Sequence, residues 1–140
     1  EIPDQETIQS LIGEIDALVI TAGVGFPHPI WDIDLPKIRQ MAHANFVLPV
    51  WIFSALKNIT QHFVITGSIA GIVPREGSSV YAGSKAAVIA FAESARKELP
   101  KHNIQTINFN YIHRIGADKI LNAYRFMIDN PANIDITINV

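Results

Sequence analysis

"FVITGSIAGIVPREGSSVYAGSKAAVIAFAESARKEL" (residues 63–99) decides how the rest of the chain is read. It opens on a short apolar run (residues 62–67, "HFVITG") of the kind that forms a strand buried on both faces. A turn follows from Ser68, and an alanine-rich helix is predicted over residues 79–99. Tyr81 and Lys85 are four apart, so they share one face near the start of that helix. A phenol titrates near pH ~10, and a fixed cation beside it favours the phenolate. The positive end of the helix acts in the same direction. Such a tyrosine serves as a general acid or base. Ser68, at the strand end, can hydrogen-bond the same substrate oxygen. Taken alone, a Tyr-x-x-x-Lys pair is weak, and a serine after a strand usually caps a turn. The order of the whole stretch raises the weight: strand, Gly-Ser, Ala-Gly, thirteen positions, Tyr, Lys, helix.

Working outward, the same alternation continues. Residues 4–15 carry a capping Asp4 and apolar Ile8, Leu11, Ile12 and Ile15, a helix face. Residues 16–21 ("DALVIT") read as a buried strand closed by "AGVG". Asp34 caps a long helical stretch over residues 34–58, which Pro49 should kink or divide. Residues 104–110 form another strand, 116–130 a helix closed by Pro131, and 134–140 a last strand. Strands separated by helices predict an α/β fold, with a parallel sheet covered on both faces and ligands beyond the carboxyl ends of its strands.

The bulk numbers set limits. A chain of 140 residues is one domain at most, and 49% hydrophobic residues suffice for a core. A net charge of −2 without a basic tract gives no electrostatic support for nucleic-acid or anionic-membrane binding. With no cysteine, disulfides and thiol chemistry are excluded, and a reducing, cytoplasmic setting is the expectation. The longest apolar run, residues 46–56, is too short to span a bilayer. His28, His43, His62, His102 and His113 show no metal-ligand spacing.

Residues 63–99 resemble the active-site segment of the short-chain dehydrogenase/reductase family. Ser68, Ala70, Gly71, Tyr81, Ser84, Lys85 and Ala86 fall on its pattern. "DALVITAGVG" is similar to the family's Asp-x-Leu-Val-Asn-Asn-Ala-Gly strand: Ala22 and Gly23 match, while Ile20 and Thr21 replace the two asparagines. "MAHANFVLP" resembles the segment carrying the fourth catalytic residue, here Asn45. "EIPDQETIQSL" resembles the segment after the third strand, which would put Glu1 where the family often has an aspartate near the adenine.

The resemblance implies a Rossmann-like, doubly wound parallel sheet and an NAD- or NADP-dependent interconversion of an alcohol and a carbonyl. Tyr81 would exchange the proton, Ser68 orient the oxygen, Lys85 bind the nicotinamide ribose, and Asn45 hold a water that relays protons to Lys85. Ile2, Ala22, Gly23, Tyr81 and Lys85 would contact the cofactor. Phe26 and His28 are candidates for the substrate wall. Arg75 and Glu76 read more readily as a solvated surface pair. Trp51 and Phe53 suit a subunit interface, and a homodimer or homotetramer is expected. The family's Gly-rich phosphate turn has no counterpart, since Gly23-Val24-Gly25 lacks the third glycine. Roughly 50–60 residues of such βαβ structure are expected to precede Glu1. A substrate loop is also expected near residue 111, where "YIHRIGADKI" runs almost directly into a helix. One expectation covers both gaps: the sequence is only the ordered part of a longer protein, with its mobile pieces left out. Two alternatives remain: an incomplete or non-catalytic relative that keeps the fold for binding or assembly, and an epimerase or dehydratase using the same Tyr/Lys pair.

Overall fold

The computed structural model describes residues 6, 7, 10, 15–26, 28–110 and 112–139. Four strands form one parallel sheet in the order β1-β2-β3-β4. They are β1 (Leu18–Ile20), β2 (His62–Thr66), β3 (Asn103–Phe109) and β4 (Asp135–Ile138). The register pairs Val19 with Val64, Val64 with Gln105 and Ile107 with Ile136. The helices are α1 (Leu35–Ala42), α2 (Leu48–Leu56), α3 (Ser79–Glu98) and α4 (Ala117–Asp129). Of the helix expected over residues 4–15, residues 6, 7, 10 and 15 are described, and 6, 7 and 10 are helical. Glu1 and Ile2 lie outside the described residues.

Successive side chains of a strand point to opposite faces. Phe63 and Ile65 of β2 therefore meet Phe53 and Leu56 of α2 and Val88, Ala92 and Ala95 of α3. Val64, Ile107 and Phe109 point the other way, onto Met127 and Tyr124 of α4. Small alanines let α3 lie close to the sheet. Because the strands advance in one direction while α4 covers the opposite face, its crossover has the opposite hand to the two before it. Both faces are covered, as the alternation predicts.

The long helix expected over residues 34–58 divides. Asp34 caps α1, accepting from the Lys37 backbone N–H at 2.8 Å, and this bond holds its carboxyl below the usual range. A π-helical turn, His43–Val47, then separates α1 from α2, and Pro49 sits in the first turn of α2. Proline has no N–H to give, so the Asn45 carbonyl lacks the bond that position 49 would make in an unbroken α-helix. Phe53 corrects an expectation. It is only 4% exposed, with its ring centroid 4.4 Å from Phe63 and 5.2 Å from Phe91. It belongs to the core of this chain rather than to a subunit interface.

Near residue 111 the connection from β3 to α4 is short. Ile112–Arg114 form a 3₁₀ turn, and Ile115 is buried against the α4 side of the sheet. No described helix is long and apolar enough to cross a membrane.

At the end of the sheet away from the strand carboxyl ends, Arg96 ties α3 to β3 and β4. It donates to the Ile104 carbonyl at 2.6 Å, to both Asp135 oxygens at 3.0 and 2.5 Å, and to the Ile134 carbonyl at 3.2 Å. The Thr106 hydroxyl also donates to Asp135. Partial burial pushes the Asp135 carboxyl up, but the bonds from Arg96 and Thr106 outweigh it and hold the group below its ordinary value. A depressed carboxylate stabilises the fold above its unfolded pKa of about 3.9, and this stability is lost as pH falls through the folded value. Arg96→Ala should lower the unfolding free energy by about 2 kcal/mol. It should also flatten the acid limb, both read from urea unfolding between neutral pH and the acid limb.

Candidate active site

The strand carboxyl ends open onto a cleft of about 670 Å³, whose lining includes Gly23, Gly25, Ser68, Tyr81 and Lys85. Each arrives for a local reason. β2 ends at Thr66, and Ser68 then caps a single 3₁₀ turn, Ile69–Gly71, its Oγ accepting from the Ala70 N–H at 3.2 Å. The capping role read from the sequence is therefore real, and it leaves the hydroxyl proton free to donate into the cleft. Gly71 has no room for a side chain. A Cβ there would lie 2.7 Å from the Ala86 nitrogen and 2.7 Å from the Lys85 carbonyl carbon, both backbone atoms of α3. Gly77, with φ of +73°, supplies the left-handed residue that turns the chain into α3. Tyr81 lies in the first turn of that helix, at its positive end.

Lys85 follows one turn later and is only 4% exposed. Its Nζ donates to the Thr66 carbonyl at 2.9 Å, and among the described residues no carboxylate pairs with it. Burial without a counter-charge brings its pKa down to about 8. An ammonium has three donors, and among the described residues only the Thr66 carbonyl takes one.

Asn45 is fully buried and works from behind the cleft. Its Oδ1 accepts from the Val24 N–H at 2.7 Å, and its Nδ2 donates to the Val24 carbonyl at 2.8 Å and to Ser84 Oγ at 2.9 Å. Ser84 in turn donates to the Tyr81 carbonyl at 2.7 Å. The Asn45 amide thus clamps the loop after β1 to α3. Gly23 sits where the two meet: a Cβ there would be 3.1 Å from Asn45 Oδ1 and 3.2 Å from Lys85 Nζ. Gly25 lies against the Tyr81 ring, since its Cβ would be 3.3 Å from Cε2. These two glycines keep open a groove floored by a buried cation with spare donors, a shape and polarity that fit a sugar with vicinal hydroxyls.

Ser68, Tyr81, Lys85 and Gly23 therefore converge on one cleft, and Asn45 supports it. Ala22 is half-buried between Thr21 and Gly23, which line the cleft while it does not. Phe26 is on the wall. His28 is not; its Nδ1 lies 3.9 Å from Asp32. Arg75 and Glu76, read as a solvated pair, also line the cleft, with Asn110, Ile112 and His113 opposite. The segment after β3, read as skipping a substrate loop, therefore supplies part of the wall. Thr66 was missed because nothing in a strand sequence shows where a backbone carbonyl will point. Gly25 was legible as the second glycine of "AGVG".

Gly71→Ala should destabilise the protein by about 3 kcal/mol, because two backbones must separate. Gly83 is the control: it is exposed in the second turn of α3, with nothing within 4 Å of a Cβ. Gly83→Ala should stabilise by about 0.7 kcal/mol. Urea midpoints of both variants check the pair.

A family profile described as short chain dehydrogenase matches residues 5–113. A 1-deoxy-11-beta-hydroxypentalenate dehydrogenase of Streptomyces arenae is 32% identical over 103 residues, covering 68% of this chain and 36% of that protein. Retinol dehydrogenase 8 of Bos taurus is 34% identical over 97 residues, covering 66% of this chain and 31% of that protein. The chain thus spans about a third of the length of these relatives. Among solved structures, a short chain dehydrogenase from Burkholderia cenocepacia J2315 in complex with NADP superposes with a TM-score of 0.83 at 20% identity, over 96% of this chain and 68% of that one. A 4-hydroxyisoleucine dehydrogenase complexed with NADH and succinate gives 0.83 at 14% identity, over 96% and 71%.

Proposed function

The chain belongs to the short-chain dehydrogenase family, and on that premise we propose that it serves an NAD- or NADP-dependent oxidoreductase interconverting an alcohol and a carbonyl. The observation that carries this reading is Lys85: a buried ammonium without a carboxylate partner among the described residues, on the same helix face as Tyr81 and in the same cleft as Ser68.

In this reading the cleft holds the substrate oxygen between the Tyr81 phenol and the Ser68 hydroxyl. Tyr81 gives a proton to that oxygen in reduction and takes it in oxidation. Ser68, anchored by its turn, orients the oxygen and stabilises charge on it. Lys85 keeps one donor on the Thr66 carbonyl and offers the others to ribose hydroxyls, with Gly23 leaving the approach open. The charge of Lys85 and the amino end of α3 place positive potential around the phenol. The Asn45 amide spends both its hydrogens and one lone pair of its oxygen on Val24 and Ser84. We assign the relay water to the backbone carbonyl of Asn45, to which Pro49 offers no α-helical N–H. The nicotinamide ring, when bound, exchanges a hydride with the substrate carbon. NAD- or NADP-linked turnover is supported by the family and by the nucleotide complexes of the two solved relatives.

The test is a titration of the protein with NADH and with NADPH, followed by nicotinamide fluorescence. Saturable binding of at least one nucleotide, weakened at least tenfold by Lys85→Met, is the expected result. Absence of saturable binding to either would overturn the proposal and leave a non-catalytic binding or assembly role.

A further inference from the structure

The Lys85 anchor has a second layer on the far side of the sheet. Thr66, the last residue of β2, faces both ways. Its carbonyl accepts from Lys85 Nζ at 2.9 Å. Its Oγ1 hydrogen-bonds the hydroxyl of Tyr124 at 2.7 Å. Tyr124 lies on α4, which packs on the opposite face from α3. Its ring is held edge-on against Phe109, centroids 5.7 Å apart. Burial pushes the Tyr124 phenol up, so it stays protonated over the working range. A single residue at a strand end therefore joins two tyrosine-bearing helices that do not otherwise share a site: Tyr81 and Lys85 on one, Tyr124 on the other.

We propose that Tyr124 is a positioning residue for Lys85, acting through the sheet by holding the Thr66 peptide in the orientation that receives the ammonium. The residue after Thr66 is Gly67, which restrains the backbone least of all residues. The sheet holds this peptide by its N–H, which donates to the Ile107 carbonyl at 2.9 Å, and the Tyr124 hydroxyl adds a second tie through the Thr66 side chain. A tyrosine that merely packed α4 onto the sheet would gain its energy from the ring, which phenylalanine keeps. The hydroxyl is needed only for the bond to Thr66. The functional weight of this inference rests on the reading of Lys85 given above, but its test does not.

The experiment follows the Lys85 side chain directly, by NMR titration of protein carrying isotope-labelled lysine and no nucleotide. The Lys85 resonance is the one absent from Lys85→Met. In the unaltered protein it should titrate near pH 8. A carbonyl acceptor favours the charged form, so loosening it lowers the midpoint further. Tyr124→Phe and Thr66→Val should each shift it down by about half a pH unit. The double variant should shift no further than either single one, because both break the same link. Thr66→Ser, which keeps the hydroxyl, should titrate like the unaltered protein. A midpoint that does not fall in Tyr124→Phe and Thr66→Val, or shifts that add in the double variant, would overturn the proposal. Failure of nucleotide binding would leave this result untouched, so the two readings fail separately.

Discussion

Tyr81→Phe is expected to remove turnover while leaving nucleotide binding intact. General acid–base catalysis by a placed side chain contributes roughly 10²–10⁴ in rate, so a loss of about 10³, or about 4 kcal/mol of transition-state stabilisation, is the expected scale. The ring matters for packing and phenylalanine retains it: the contact with Gly25 involves ring carbons. No hydrogen bond that supports Asn45, Ser84 or Lys85 uses the phenol oxygen. The urea midpoint should therefore stay within experimental reach of the unaltered protein, and nucleotide affinity within about twofold. Retained turnover would remove Tyr81 from its role. A weakened fold would show instead that the phenol is part of the scaffold.

Lys85→Met is expected to make the free protein more stable as it disables the cleft. An exposed lysine titrates near 10.4, and burial brings Lys85 down to about 8. The gap corresponds to about 3 kcal/mol working against the charged native state at neutral pH. Methionine keeps the apolar stem and removes the charge. The Thr66 carbonyl loses a donor, which offsets about 1 kcal/mol. A net gain of about 2 kcal/mol at pH 7 remains. The sign with pH follows from the lowered value. Between about pH 8 and pH 10.4 the unfolded chain binds more protons at this site than the native one, so the unaltered protein gains stability as pH rises through that window. Below pH 8 the penalty is constant. The difference in unfolding free energy between the two proteins should therefore shrink from pH 7 to pH 10. A Lys85→Met protein that is less stable at pH 7, or a difference independent of pH, would contradict this account of Lys85.

The parallel sheet, its two covered faces and the segment from Ser68 to Lys85 were legible in the sequence because each depends on local pattern. β2 is an unbroken apolar run, and Tyr81 and Lys85 share a helix face by spacing alone. The Asn45 position was marked by resemblance, but its bonds to Val24 and Ser84 were not readable there. The π-helical turn and the Val24 clamp depend on how two distant segments meet. Phe53 was misassigned because an aromatic side chain on a helix looks the same in sequence whether it turns to its own sheet or to another subunit. The Tyr124–Thr66 bond was hidden for the same reason: it crosses the sheet between residues 58 positions apart.

The most direct test of the proposed chemistry follows the transferred hydrogen. The protein is incubated with a mixture of aldehydes and ketones and with reduced nicotinamide nucleotide deuterated at its transferable position, and the alcohols formed are analysed by mass spectrometry. The account predicts at least one alcohol carrying deuterium on its carbinol carbon, formed by the unaltered protein and not by Tyr81→Phe. Formation of that deuterated alcohol at an equal rate by both proteins, or by neither, would contradict it.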